Sequence, residues 1–322
     1  MNTVLKWVGS KSRIMPELKK HLPKGQRLVE PFAGSCSVMM NTDYQEYLIA
    51  DINPDLINMY RQIKEHSSVF LVLAMQLFST NKSEAEYYKI REEFNSSLGM
   101  TLLDRAVYFL YLNRHGHRGM CRYNRSGDFN IPFGHYKKPY FPLEEIKAFA
   151  EKSQRATFVC ADFTETLKMI QAGDVIYSDS PYQGTFSDYH TEGFNDDRQC
   201  QLASLLSGVA QSNPVIVSNS DTARTRCLYS DFKITRITAP RSLGVAAGER
   251  KSAAEIIAVS RGKYWVNYDP ASGPGHSVAL KVCDGCGRTG GGRCPDCGPC
   301  CGDATYNSMV AAGSFGAGTS LS

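Results

Sequence analysis

Short apolar runs that end in polar residues occur in two separate parts of the chain, and helical periodicity follows most of them. The runs predict strands at residues 28–32, 47–51, 156–160, 175–177, 214–218 and 254–259. Helices are predicted to begin near residue 36 and to span 164–170 and 197–211. Because strands that alternate with helices build parallel sheets, the pattern predicts an α/β fold with a doubly wound, mostly parallel sheet.

The stretch between these two parts has a different pattern. Apolar positions three and four residues apart predict several helices over 54–112. Glycine and proline then interrupt regular structure over 113–140. We therefore predict an α/β domain over 1–54 and 156–262, an inserted helical and loop part over 55–155, and a C-terminal region over 263–322.

Polar or glycine residues follow four of the predicted strands. Gly34 comes shortly after the first strand, and Asp51, Asp162 and Asp179 stand at the ends of later ones. In an open α/β sheet, ligands bind beyond the carboxyl ends of the strands. The sequence therefore predicts that these four residues line one crevice.

The composition mainly excludes some classes of protein. With 322 residues, 42% of them hydrophobic, the chain suits one large α/β domain with an accessory part, or two domains. It has no apolar run long enough to span a membrane, and its first residues lack the basic-then-apolar layout of a signal peptide. A cytoplasmic protein with reduced cysteines is therefore expected.

The net charge of +4 is too small for a histone-like polycation, but basic residues concentrate in one segment. Between residues 113 and 140, six lysines and arginines accompany a single acid, Asp128, and five aromatic residues are interleaved with them. This composition suits phosphate contacts combined with base reading or stacking. The alternative interpretation is an ordinary solvated surface loop.

Phe32-Ala33-Gly34-Ser35-Cys36 has the character of a nucleotide-binding turn between a strand and a helix. A glycine there lets a ligand approach the backbone, and Asp51, at the end of the next strand, could hold two ribose hydroxyls. In the alternative interpretation, Asp51 only caps the following helix. The absence of a Gly-x-Gly-x-x-Gly motif in this turn favours a nucleoside cofactor without pyrophosphate, such as S-adenosylmethionine, over NAD.

Asp179-Ser180-Pro181-Tyr182 follows a buried strand and combines a carboxylate, a stiffened turn and an aromatic ring. Carboxylate and backbone carbonyl oxygens can accept hydrogen bonds from an exocyclic amine while the ring stacks on a flat base. These are the groups that methyl transfer to a nucleobase nitrogen requires. Alone, the same four residues could also form an ordinary turn.

Several motifs, taken together and in order, resemble the Dam-type DNA adenine-N6 methyltransferases of the D12 class and α group. The resemblance covers residues 5–260, and it rests on 6–11, 30–34, 50–53, 121–124, 132–134, 136–141 and 179–182. It implies methylation of adenine N6 in duplex DNA with S-adenosylmethionine as the cofactor, and GATC as the target site.

The resemblance also implies residue roles. Asp179 and the carbonyl of Ser180 would accept the two N6 hydrogens, and Tyr182, after Pro181, would stack on an adenine flipped out of the duplex. The residues implied to bind the cofactor are Trp7, Lys11, Phe32, Gly34, Asp51, Asp162 and Asp179. The residues implied to contact DNA are Lys6, Arg114, His117, Arg118, Arg122, Asn124, Tyr136, Lys137 and Lys138. Among them Arg122 would read a guanine.

The sequence departs from the family pattern inside the predicted crevice. Ser180 replaces a proline, and Ser10 and Cys36 replace glycines. His117 and Arg118 replace the tyrosine and asparagine expected in the recognition loop. These departures leave an alternative, a DNA-binding relative with weak or no activity. A second alternative keeps the chemistry but changes the substrate to cytosine N4 or RNA.

The C-terminal region holds paired cysteines at Cys283, Cys286, Cys294 and Cys297. Their Cys-x-x-Cys spacing predicts a structural zinc site remote from catalysis, against the alternative of a loose thiol-rich tail. Residues 311–322 are small and polar and are predicted to be disordered. We expect the protein to be a monomer.

Overall fold

A computed structural model of the chain describes residues 2–182, 194–240 and 252–261. Within these residues seven strands form one sheet in the order β3-β2-β1-β4-β5-β7-β6. The strands are β1 Arg27–Glu30, β2 Glu46–Asp51, β3 Ala156–Cys160, β4 Val175–Ser178, β5 Val215–Ser220, β6 Lys233–Pro240 and β7 Ser252–Val259. β1 to β5 pair in parallel, and β7 lies antiparallel between β5 and β6. The predicted α/β fold with a mostly parallel sheet is confirmed.

The helices include several in the stretch between the two α/β parts, as the apolar spacing predicts. The α-helices are α1 Met15–Leu18, α2 Ser37–Asn41, α3 Pro54–Thr80, α4 Glu84–Ser96, α5 Leu102–His115, α6 Leu143–Lys152, α7 Phe163–Lys168, α8 Asp196–Val209 and α9 Ala223–Leu228. Asn53 caps α3 by accepting hydrogen bonds from two backbone amides, and Ser83 and Thr101 begin α4 and α5 with capping boxes. Local sequence therefore fixes where these three helices begin.

Both faces of the sheet are buried. On one face Tyr60 of α3 stacks on Phe149 of α6 with ring centroids 4.8 Å apart, and Phe149 stacks on Phe158 of β3 at 5.8 Å. On the other face Leu202 and Leu206 of α8 join a core with residues of the central strands. Residues of α3 to α6 share one hydrophobic cluster with the sheet, so the inserted helices and the sheet are packed together. The division of the chain into separate domains stays a prediction.

The order of the strands determines where a ligand can enter. From β1 the chain builds outward through β2 and β3 on one side, and through β4 and β5 on the other. The gap that this reversal opens beyond the carboxyl ends of β1 and β4 is the usual ligand site of such sheets. Gly34 follows β1 and Asp179 follows β4 directly at this point.

Asp55, at the start of α3, ties the inserted part together. Its buried carboxylate accepts two hydrogen bonds from Arg105 of α5, at 2.5 and 3.0 Å, and one from the Tyr123 hydroxyl at 2.6 Å. The interaction joins three segments that are far apart in sequence. Removing one partner of a buried pair leaves the other charge uncompensated.

We expect Asp55→Ala to lower the free energy of unfolding by about 3 kcal/mol, because it leaves the Arg105 guanidinium without its carboxylate. Urea unfolding followed by circular dichroism measures the change. Asp43→Ala is the matched control, because Asp43 also pairs with an arginine, Arg155, but its side chain is 85% exposed. Equal losses in the two variants would contradict the role assigned to Asp55.

Candidate functional site

A cavity of about 1800 Å³ lies beyond the carboxyl ends of the central strands. The structure brings together here all the residues predicted for catalysis and cofactor binding. Its lining includes Trp7, Lys11, Phe32, Gly34, Asp51, Asp162, Asp179, Ser180, Pro181 and Tyr182. Strand order places the later residues beside the earlier ones, so a single crevice collects them as the sequence indicated.

The carboxylate of Asp179 has two different oxygen environments. Oδ2 forms an ion pair with Nζ of Lys11 at 2.7 Å, and the same Nζ donates to the carbonyl of Gly9 at 2.8 Å. Oδ1 is buried and has no hydrogen-bond partner among the residues that the structure describes. Burial raises the pKa of Asp179 to about 6, and the attraction of Lys11 opposes this rise. One oxygen is therefore anchored by Lys11, and the other is left without a protein donor in the described ranges.

The ring of Tyr182 is held from two sides. Its hydroxyl donates to Oε2 of Glu255 in β7 at 2.7 Å, and Nζ of Lys11 lies 4.8 Å from its ring centroid. Burial raises the pKa of the Tyr182 hydroxyl well above its usual value, so the group is a neutral donor. The contacts fix the ring plane beside the Asp179 carboxylate.

The turn after β1 depends on Gly34. Its φ of +45° lies in the left-handed region, and a Cβ atom there would lie 2.8 Å from Nε1 of Trp7. The Gly34 amide donates to Oδ2 of Asp51 at 3.0 Å, and its carbonyl accepts from the Tyr60 hydroxyl at 2.5 Å. Oδ1 of Asp51 accepts from the amide of Asn53, the residue that caps α3. Since Asn53 provides the cap, the interpretation of Asp51 as a helix cap is wrong.

The two glycine replacements differ in their consequences. Ser10 has a φ of −51°, outside the left-handed region, so a side chain at this position causes no such strain, and the neighbouring Gly9 takes the left-handed φ of +78°. Cys36 has a φ of +55° and is fully buried. A side chain in this region costs on the order of 1–2 kcal/mol. Burial raises the pKa of its thiol, which makes the cysteine unreactive.

Asp162 lies at the far side of the cavity and is already engaged by protein groups. It caps α7 by accepting from the amide of Thr164 at 3.0 Å, and its other oxygen pairs with Arg198 of α8. The Arg198 guanidinium lies 4.4 Å from the centroid of the Phe163 ring, and Phe163 contacts Phe32 at 5.6 Å. Sequence reasoning missed Arg198, because only the packing of α8 against α7 places it in the cavity.

Residues predicted to contact DNA fall into two groups. Arg118, Arg122, Lys137 and Lys138 are exposed, and His117 is half-buried. Nζ of Lys6 lies 3.7 Å from the centroid of the Tyr136 ring, which places the N-terminal segment beside the basic segment. Nε of Arg122 donates to Asn130 at 2.9 Å across a hairpin.

Arg114 and Asn124 have contacts that differ from those expected. The guanidinium of Arg114 is buried and donates to the carbonyls of Thr3 and Val4, so it holds the N-terminal segment instead of facing a phosphate. The side-chain oxygen of Asn124 accepts from two backbone amides of the hairpin turn, and its amide nitrogen donates to Asp128. Both residues support the segment from within.

The zinc ligands predicted at Cys283, Cys286, Cys294 and Cys297 lie outside the described residues. Within the described ranges no group of three or more histidine, cysteine, aspartate or glutamate residues is arranged to hold a metal ion. No helix in those ranges is long and apolar enough to cross a membrane.

A cavity at the point where the strand order reverses, with a glycine turn and an anchored carboxylate, is typical of α/β methyltransferases. Comparison with known proteins identifies the family within this class. Residues 7–243 match the family described as D12 class N6 adenine-specific DNA methyltransferase. The chain is 60% identical over 283 residues to the Retron Ec67 DNA adenine methylase of Escherichia coli. The aligned region covers 88% of this chain and 99% of that protein. It is 43% identical over 262 residues to the DNA adenine methylase of E. coli K12, which covers 79% of this chain and 94% of that protein.

The chain therefore belongs to the D12 class of N6 adenine-specific DNA methyltransferases, and the resemblance seen in the motifs is confirmed. A relative from Vibrio cholerae serotype O1, also named DNA adenine methylase, is 42% identical over 263 residues and covers 79% of this chain and 94% of that protein. The family is specific for adenine, which argues against cytosine N4 as the target. It acts on DNA, which argues against an RNA substrate.

We expect Gly34→Ala to displace Trp7 and to destabilise the protein by on the order of 1–2 kcal/mol or more, because the left-handed φ and the contact with Nε1 both oppose a side chain. In a Trp265→Phe background, tryptophan fluorescence reports the Trp7 environment alone. Gly99→Ala is the control, since Gly99 has a φ of +67° and a Cβ atom added there would meet nothing within 4 Å. It should cost stability without changing the Trp7 emission; an unchanged emission in Gly34→Ala would count against the contact.

Proposed function

We propose that this protein transfers a methyl group from S-adenosylmethionine to N6 of an adenine that is flipped out of duplex DNA, within GATC sites. The observation that carries the proposal is the divided environment of the Asp179 carboxylate. Lys11 anchors Oδ2, while the buried Oδ1 has no partner in the described part of the chain. A buried acceptor without a partner is costly, which is a reason to expect that a ligand supplies one.

The exocyclic amine of adenine offers two hydrogens to the turn that begins at Asp179. Oδ1 of Asp179 would accept one, and the backbone carbonyl of Ser180 would accept the other. Held in this way, the nitrogen lone pair points out of the ring plane instead of being delocalised into the base. The contribution of the protein is then orientation and preorganised electrostatics.

The residues around the glycine turn fit S-adenosylmethionine, which supplies a reactive methyl group when it is bound. Both Asp51 oxygens accept a backbone amide, which fixes the carboxylate at the end of β2, where it would bind the ribose hydroxyls. Gly34 leaves space beside Trp7 that a Cβ atom would fill. Phe32 and Phe163 provide an apolar wall for a nucleoside base.

The inserted part would bind the duplex. Exposed lysines and arginines would neutralise phosphates, and the Arg122 fork would pair with N7 and O6 of a guanine. Tyr182, fixed by Glu255 and Lys11, would stack on the flipped adenine, because N6 cannot reach the site from inside the helix.

Two further proposals concern metal binding by residues outside the described ranges and the oligomeric state of the protein. The spacing of the four C-terminal cysteines supports a structural zinc site. Metal analysis of the purified protein tests this: one zinc per chain is expected, and protein without zinc would contradict it. A monomeric state is tested by light scattering.

The reaction is tested by transfer of labelled methyl groups from S-adenosylmethionine to three duplexes. One carries GATC, one carries a scrambled site, and one carries GATC with N6-methyladenine already present. The proposal predicts label only in the first duplex. Label in every unmethylated duplex would keep the chemistry but overturn GATC selectivity, and no label from folded protein would favour the DNA-binding relative.

Asp179 should act as a carboxylate, so we expect kcat/KM to fall as the pH drops through about 6. Lys11 lowers the pKa of Asp179, and Lys11→Met should therefore move the midpoint of this acidic limb to higher pH. Lys11→Arg keeps the positive charge and serves as the control. Coinciding profiles for the parent protein and Lys11→Met would contradict the ion pair's role in catalysis.

Arg122 should determine sequence selectivity. We expect Arg122→Ala to cost about 1–3 kcal/mol of discrimination between GATC and a site with a changed guanine. Arg125→Ala, in the same hairpin and also exposed, should weaken binding to both sites alike. Competition binding with the two duplexes measures both effects. Unchanged discrimination in Arg122→Ala would rule out Arg122 as the base-reading residue.

A further inference from the structure

A chain of buried amide groups connects the catalytic turn with β5. Gln199, the fourth residue of α8, donates from Nε2 to the carbonyl oxygen of Pro181 at 2.7 Å. Asn219 of β5 donates from Nδ2 to Oε1 of Gln199 at 3.3 Å, and its Oδ1 accepts from the amide of Ser220 at 2.8 Å. Gln199 and Asn219 are 1% and 0% exposed.

Backbone groups fix the direction of this chain at both ends. The carbonyl of Pro181 can only accept and the amide of Ser220 can only donate. A flipped Gln199 side chain would set two acceptors against each other at Pro181, and a flipped Asn219 would do the same at Gln199. Each side chain therefore has one allowed orientation, which makes the chain a rigid support.

The catalytic turn needs such a support because Ser180 does not hold it. The proline that the family has at this position would fix φ, and a serine does not. The buried Ser180 hydroxyl has no hydrogen-bond partner among the residues described. Pro181 fixes its own φ but leaves its ψ free, and ψ determines where its carbonyl points. The hydrogen bond from Gln199 restrains that remaining angle.

We propose that Gln199, oriented by Asn219, is a positioning residue for methyl transfer. By holding the Pro181 carbonyl it keeps the acceptor carbonyl of Ser180 and the ring of Tyr182 in a fixed relative arrangement. The proposal rests on the proposed function, since it is the target amine that requires this arrangement. Gln199 acts through the turn and not on the reacting atoms.

A double-mutant cycle with Gln199→Met and Asn219→Ala tests this role, because methionine keeps the length of the side chain but removes both hydrogen-bonding groups. On the unmethylated GATC duplex we expect Gln199→Met to lower kcat by about tenfold to a hundredfold. The KM for DNA and the Kd for S-adenosylmethionine should change by less than about threefold. Because Asn219 acts through Gln199, Asn219→Ala should lower kcat in the parent protein but lower it by less than about threefold when Gln199→Met is already present.

Gln211→Met, at an exposed glutamine just beyond α8, is the matched control and should leave kcat unchanged. An equal loss of kcat from Asn219→Ala in both backgrounds would mean a general structural effect and would overturn the proposal, as would an unchanged kcat in Gln199→Met. If Gln199→Met does not fold, Asn219→Ala alone gives the test through its effect on kcat. That variant leaves Gln199 in place but removes the group that orients it.

Hydrogen–deuterium exchange of a peptide covering residues 175–182 gives a readout that does not depend on activity. Gln199→Met should speed exchange of the Tyr182 amide, and Asn219→Ala should speed it in the same direction. If the parent protein methylates no duplex but exchange follows this pattern, the proposed reaction fails and the role of Gln199 in methyl transfer fails with it, while its restraint of the turn stands. If the parent protein methylates GATC and neither kcat nor exchange responds to Gln199→Met, the positioning role fails alone.

Discussion

The buried ion pair between Lys11 and Asp179 is the interaction on which the rest of the site depends. Lys11 comes from the N-terminal segment and Asp179 from the end of β4, so the pair joins two parts of the chain that are far apart in sequence. It also distinguishes the two oxygens of one carboxylate. Desolvation raises the pKa of Asp179 to about 6, which still leaves the group largely ionised at neutral pH. The pair therefore prepares an acceptor that is both charged and correctly oriented.

The remaining contacts restrain what the ion pair leaves free. Glu255 and Lys11 hold the ring of Tyr182, Gln199 holds the carbonyl of Pro181, and each of these residues comes from a different element. Because the restraints come from different elements, the short catalytic turn keeps a defined geometry although it has a serine in place of a proline. The glycine turn after the neighbouring strand, β1, is restrained in the same way, because Asp51 and Tyr60 bind the amide and carbonyl of Gly34.

The sequence was sufficient to predict the strands at the centre of the sheet and the residues at their ends, because apolar runs and the geometry of parallel sheets are local signals. It did not predict β6, an edge strand that contains Lys233 and Arg236, or α6. It also missed Gln199, Arg198 and Glu255, whose importance comes only from contacts across the fold. Arg114 was expected at the DNA because it is basic, but burial against backbone carbonyls gives it a structural contact.

The central claim, that one Asp179 oxygen is held by Lys11 so that the other receives the target amine, is tested most directly by a crystal structure. The complex would contain the protein, an unmethylated GATC duplex and S-adenosylhomocysteine. We predict that the N6 atom of the flipped adenine lies about 3 Å from Oδ1 of Asp179 and from the Ser180 carbonyl, while Lys11 remains on Oδ2. An adenine that stays stacked in the duplex, or an N6 atom bound away from Asp179, would contradict the account.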